Sequence, residues 1–238
     1  KETGARLHTH LGEGENDIMM KRWGMRTVDW CKKYGFIGDN TWFAHCWELT
    51  DEEYKTLGDY GAGVSHCPSP AILGGFPILN IKKMQKDNVL ISLGCDGSAT
   101  NDGSNLLESL RTAYLMQCYF SKERNGGASA YDILKIATIN GAKTLGRDDI
   151  GSLEIGKAAD LFMIDTNQLE LTGALHDPKN IIGRVGVTGN VWLTMINGKV
   201  VYENNKLINV DEKKLAAEGE KICDKVLREP CEAFHNLF

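Results

Sequence analysis

Four short apolar runs in the first hundred residues each end on side chains that can bind a metal or move a proton, and each leads into a helical stretch. The runs are 6–11, carrying His8 and His10 with Glu13 just beyond, 41–46 with His45, 63–66 with His66, and 89–95 followed by Asp96. Strand and helix alternating in this way build a parallel sheet, and in a (β/α) barrel the carboxyl ends of the strands converge on one face. Residues far apart in sequence then meet there, which is an active-site layout.

The spacing predicts an amphipathic helix over 17–34 after the first run, with Met20, Trp23, Val28 and Trp30 among its apolar positions. Thr50 with Glu53 three residues later is a capping box that opens the helix after the second run. A loop through Pro68, Pro70, Gly74 and Gly75 leads to a helix at 79–85, and 105–120 forms the helix after the fourth run. A further helix over 129–145 has Asp132 near its positive end and Gly146 as its stop. From Gly151 the texture turns to β, with strands at 160–165, 191–197 and 199–203 and a hairpin signal at Asn197 and Gly198. A charged helix over 211–227 closes the chain.

Composition narrows the function classes. With 238 residues, 42% of them hydrophobic, the chain can bury one or two cores, which excludes intrinsic disorder. A net charge of -5 argues against a binder of nucleic acid polymers, which needs an excess of Lys and Arg to release counterions. No window approaches the roughly 20 apolar residues needed to cross a bilayer, and the polar start lacks the core of a signal peptide. No membrane partner and a cytoplasmic location are therefore expected. Seven cysteines with no CxxC pair fit reduced, buried thiols rather than a disulfide framework. The chain opens at Lys1 and runs almost at once into a strand, so missing upstream sequence is expected.

On the first strand, His8 and His10 are two apart and point the same way. Imidazoles supply neutral nitrogen ligands, Asp an anionic oxygen, and a nearby Glu can take a proton from water activated by a metal. His8 as a filler of the barrel interior and His66 as a pocket-wall residue are the plainer alternatives for those two positions. His176 and His235 are set aside as structural.

LHTHLGE, WFAHCWEL, VSHCPSP and LGCDGSATNDGSN, followed by ATINGAKTLGRDDIGSLEIGKAADLFMID and VWLTMINGKVVYE, resemble the amidohydrolase superfamily. The resemblance is to its branch of aromatic deaminases and triazine hydrolases, which includes 8-oxoguanine, isocytosine, guanine and cytosine deaminases. Members open the barrel with an HxH pair on the first strand, and no such strand precedes His10 here. A full barrel takes about 250 residues, whereas four βα units are present. The resemblance therefore implies an α/β chain holding strands five to eight of a TIM-type barrel over residues 1–150. Part of a small β-sandwich domain would follow over 151–210, then a C-terminal helix and tail over 211–238.

Carried over residue by residue, the resemblance implies that His10 and Asp96 are metal ligands, two of the four usual in this branch. It makes Glu13 the proton-moving glutamate and His45 the group that polarises substrate, with Asp96 also accepting a proton. His66, Trp47 and Thr100 are candidate substrate-binding residues; Trp47 and Phe76 could equally be plain core. Glu48 stands where many relatives have His, and Pro70 where many have Asn. The implied cofactor is one divalent metal, zinc, with iron(II) as the alternative. The implied reaction is hydrolytic deamination of an aminated heterocycle of the 8-oxoguanine or isocytosine type, with this chain inactive alone. Two alternatives are a triazine-type hydrolase releasing chloride or an alkylamine, and a non-catalytic truncated product. Expected partners are a small heterocyclic substrate and either further copies of the chain or the missing N-terminal half.

Overall fold

A computed structural model of the chain describes residues 4–121 and 128–228. Strands β1 (Leu7–Leu11), β2 (Thr41–His45), β3 (Gly63–His66) and β4 (Leu90–Leu93) form one parallel sheet in chain order. In its register Phe43 lies beside Val64, and Val64 beside Ile91. All three are at most 1% exposed, so this face carries the core. The opposite face takes the alternate residues, with His8 opposite Trp42 and His10 opposite Ala44. The four expected strands thus form, and they form side by side.

The helices between them depart from expectation in two places. The helix expected over 17–34 is broken into α1 (Asn16–Trp23) and α2 (Thr27–Lys33), because Gly24 takes the left-handed φ of 64° and ends α1. Met20 and Trp23 are half exposed as a result, whereas Val28 is buried. The capping box at Thr50 opens α3 (Asp51–Asp59) as expected. The Pro-rich loop contains an unexpected helix, α4 (Pro68–Leu73), ahead of α5 (Ile81–Lys86). Pro68 and Pro70 both fall in its first turn, where a missing N–H removes no helical bond.

After β4, α6 (Leu106–Ser121) lies close to its expected bounds. The helix expected over 129–145 forms as α7 (Ala130–Lys135), a π-helical turn (Ile136–Asn140) and α8 (Gly141–Leu145), ended by Gly146 at φ 68°. Strands β5 (Leu161–Met163), β6 (Leu193–Ile196), β7 (Lys199–Glu203) and β8 (Lys206–Leu207) make an antiparallel sheet. Asn197 and Gly198 have the positive φ pair of a tight hairpin turn, and Asn204 with Asn205 repeats it before β8, which was not expected. Between β5 and β6, Gly183 sits so near α7 that a Cβ there would meet the Ala130 Cβ at 2.6 Å.

The chain's last described helix is α9 (Glu212–Arg228); His235 and the tail from 229 lie outside the described residues. Among the described residues every cysteine is free, and no helix is long and apolar enough to cross a membrane.

Candidate active site

His45 closes β2 with φ 69°, Cys46 follows with φ 59°, and Asp96 lies just past β4 with φ 64°. Left-handed backbone at residues other than Gly costs about 1–3 kcal/mol each and persists only where the surroundings fix it. Here they do. The Cys46 N–H donates to the Leu11 carbonyl at 2.8 Å and the Tyr54 hydroxyl to the Cys46 carbonyl at 2.7 Å. The buried Asn101 amide donates to the Cys95 carbonyl at 2.8 Å, and the Gly97 N–H to the Asp96 carboxylate at 2.7 Å. Both reversals turn a polar side chain into the same space.

That space gathers most of the expected residues. Donor atoms of His10, His45 and Asp96 lie within 4.8 Å of one another, the one such group among the described residues. The His45 Nε2 is 3.3 Å from a Glu13 carboxylate oxygen and 3.7 Å from an Asp96 oxygen, and the His10 and His45 rings stack at 5.1 Å. His45 is 1% exposed, yet neither ring nitrogen has a hydrogen-bond partner. Buried polar atoms seldom remain unpartnered. Two imidazoles and a carboxylate are donors that zinc accepts, so the residues fit a divalent metal.

Burial holds the His45 imidazole below its ordinary pKa, against the pull of Asp96, and keeps it neutral. Burial raises the Glu13 carboxyl, helped by the charges of Asp96 and Glu15 and opposed by His10. A carboxyl shifted this way can hold a proton nearer neutrality than an ordinary Glu.

The loop that carries Glu13 is tied down by two other carboxylates. Glu15 accepts hydrogen bonds from the Gly12 and Glu13 N–H groups at 2.6 and 2.7 Å, and Glu48 accepts one from the Gly14 N–H at 2.8 Å. Burial alone would raise the Glu15 carboxyl, but the backbone bonds, joined by one with the Thr27 side chain, outweigh it and hold it below the usual range. Gly12 at φ 64° lies against Leu49, where a Cβ would meet the side chain at 2.8 Å. Sequence reasoning missed Glu15 and the holding role of Glu48; the glycines on either side of Glu13 were the available signal.

The remaining expected residues divide. His66 is 2% exposed at the end of β3, its Nε2 unpartnered, and burial followed by the field of His45 lowers its pKa to about 4. The Trp47 ring lies 4.5 Å from that of His45 and stacks on Phe76 at 4.9 Å, but its body belongs to the core. Thr100 is not drawn into the cluster, since its hydroxyl donates to the Gly97 carbonyl at 3.1 Å within its own turn. The His8 ring stacks on Trp42 and reaches its carbonyl at 3.1 Å, so it packs within the sheet face.

The amidohydrolase family pattern matches residues 1–201. The chain belongs to the amidohydrolase family. It is 44% identical over 228 residues to the hydroxydechloroatrazine ethylaminohydrolase of Pseudomonas sp. strain ADP, which covers 95% of this chain and 47% of that protein. It is 40% identical over 176 residues to the 8-oxoguanine deaminase of Pseudomonas aeruginosa, covering 73% of this chain and 38% of the relative. A crystal structure of a mutant atrazine chlorohydrolase from Arthrobacter aurescens TC1, complexed with zinc and atraton, superposes with a TM-score of 0.86 at 30% identity. That superposition covers 92% of this chain and 49% of the chlorohydrolase. The amidohydrolase chain thus spans about half the length of these relatives or less.

Proposed function

We propose that this chain supplies the proton-moving half of a metal-dependent amidohydrolase that breaks the bond between a heteroaromatic ring carbon and an amino or alkylamino substituent. The observation that carries this is the placement of His45 Nε2 between the Glu13 and Asp96 carboxylates, beside His10. In this reading β1 to β4 are strands five to eight of the barrel over residues 1–150, and 151–210 belongs to the small β domain.

His10 and Asp96 would hold the divalent ion, zinc before iron(II), which when bound activates water as a nucleophile near neutral pH. Glu13, with its raised pKa, delivers a proton to the ring nitrogen next to the attacked carbon. Neutral His45 donates a hydrogen bond where negative charge develops. Asp96 takes one proton of the attacking water and passes it to the departing amine, and Glu13 recovers the other as the ring carbonyl forms. His66 and Trp47 would line the pocket; Thr100 has no such role in this reading.

Identity over nearly the whole chain to an ethylaminohydrolase favours an alkylamine leaving group on a triazine-like ring. Deamination of an 8-oxoguanine or isocytosine type of substrate is the second reading, favoured by the shorter match to the 8-oxoguanine deaminase. The test is amine release from a hydroxylated ethylamino-triazine, 8-oxoguanine and isocytosine. The zinc-loaded chain would be co-expressed with the N-terminal half of the 44%-identical relative. Ethylamine release that disappears in Glu13→Gln is expected. Release of ammonia alone favours the second reading, and no amine from any of the three by a zinc-containing assembly would overturn both.

A further inference from the structure

We infer that Glu15 and Glu48 are positioning residues that hold Glu13 against His45, an inference that rests on the proton-moving role proposed for Glu13. Three consecutive backbone N–H groups, those of Gly12, Glu13 and Gly14, point at carboxylate oxygens. Glu15 takes the first two with separate oxygens, so it grips the peptides on either side of the Gly12 Cα, and Glu48 holds the peptide that follows the Glu13 Cα. Glu48 takes the third from across the sheet, on the segment that leaves β2 two residues past Cys46.

The grip runs both ways. The Glu48 N–H donates to the Gly12 carbonyl at 3.0 Å, and the Glu48 carbonyl receives the Arg26 guanidinium at 2.7 Å. Arg26 also binds both Glu53 oxygens at 2.7 and 2.8 Å. The Glu13 loop is thereby fixed to the same turn that carries His45. Its own backbone could not do this, because Gly12 and Gly14 at φ 64° and 113° leave the loop many conformations. Both residues also reach beyond the loop, Glu15 to the Thr27 side chain and the Glu48 carbonyl to Arg26, so they tie the loop to its neighbours.

The experiment follows the His45 Nε2 resonance and the amides of residues 12–14 in the full, 15N-labelled chain. Glu13→Gln is the reference and moves His45 Nε2. Glu15→Gln, which puts an NH2 where one N–H needs an acceptor, is expected to move it the same way and to speed amide exchange at Gly12 or Glu13. Glu48→Ala should do so for Gly14, whereas Glu48→Gln, which keeps an acceptor, should match the parent chain. Exposed Glu48 tolerates substitution, so it keeps the test open if Glu15→Gln does not fold. In the co-expressed assembly, kcat falls about 10- to 100-fold at unchanged KM and zinc content. An unmoved His45 signal in both Glu15→Gln and Glu48→Ala would overturn the inference, as would unchanged amide exchange. A Glu13→Gln variant that leaves His45 unmoved and turnover intact removes the proposed function instead.

Discussion

His10, Glu13, His45 and Asp96 come from three separate strand ends, and each was legible because its residue type is costly to place beside an apolar strand without a purpose. The companions of these residues were harder to see. Glu15 and Glu48 look like ordinary surface acids, and only backbone geometry reveals what they hold. The proposed roles separate by metal content in the co-expressed assembly: His10→Ala and Asp96→Ala should each lose zinc by elemental analysis, while Glu13→Gln retains it and loses turnover. Equal loss in all three would contradict the roles. His66 gives a pH signature. Its folded pKa of about 4 lies below the ordinary 6.5, so the unfolded chain takes up the proton first. Its contribution is complete above pH 6.5 and is lost as pH falls towards 4, an effect on the order of 3 kcal/mol. Urea midpoints should therefore drop more steeply across that window in the parent chain than in His66→Asn; parallel curves would show that His66 is not the group responsible.

At the scale of elements, β-branched and apolar runs marked every strand of the parallel sheet, and Asn197 with Gly198 marked a hairpin. Breaks inside helices were not visible. Gly24 stops α1 by a left-handed turn that an amphipathic pattern spanning it does not register, and the π-helical turn at Ile136–Asn140 has no compositional signature. Pro68 and Pro70 looked like a loop because proline breaks helices, yet in a first turn it starts one. The cap at Thr50 was legible and can be weighed. Thr50→Ala should cost about 1 kcal/mol by urea denaturation. Glu53→Ala should cost more, because Glu53 is 7% exposed and binds both the Thr50 N–H and the Arg26 guanidinium. A Glu53→Ala penalty no larger than that of Thr50→Ala would mean that Arg26 adds nothing to α3.

At the scale of the whole molecule, β1 and β4 each pair on one side only among the described residues. Trp192, Met163 and Phe162 are also between 39% and 55% exposed on the second sheet and its approach. Unpaired edges and apolar surface favour association. We propose that the chain alone forms oligomers and shows no amine release, and that the complementary half lowers the mass to a defined assembly. Light scattering would show this, and an active monomer would refute it. The left-handed turns at His45 and Asp96 set a further condition on how such a protein can change. At both positions Gly would relieve backbone strain. A library of this chain selected only for soluble expression should therefore drift to glycine there, erasing the proposed site while improving the fold. Retention of His and Asp at these two turns in a library selected for amine release, against their loss in one selected for expression alone, would tie the strained backbone to the proposed chemistry.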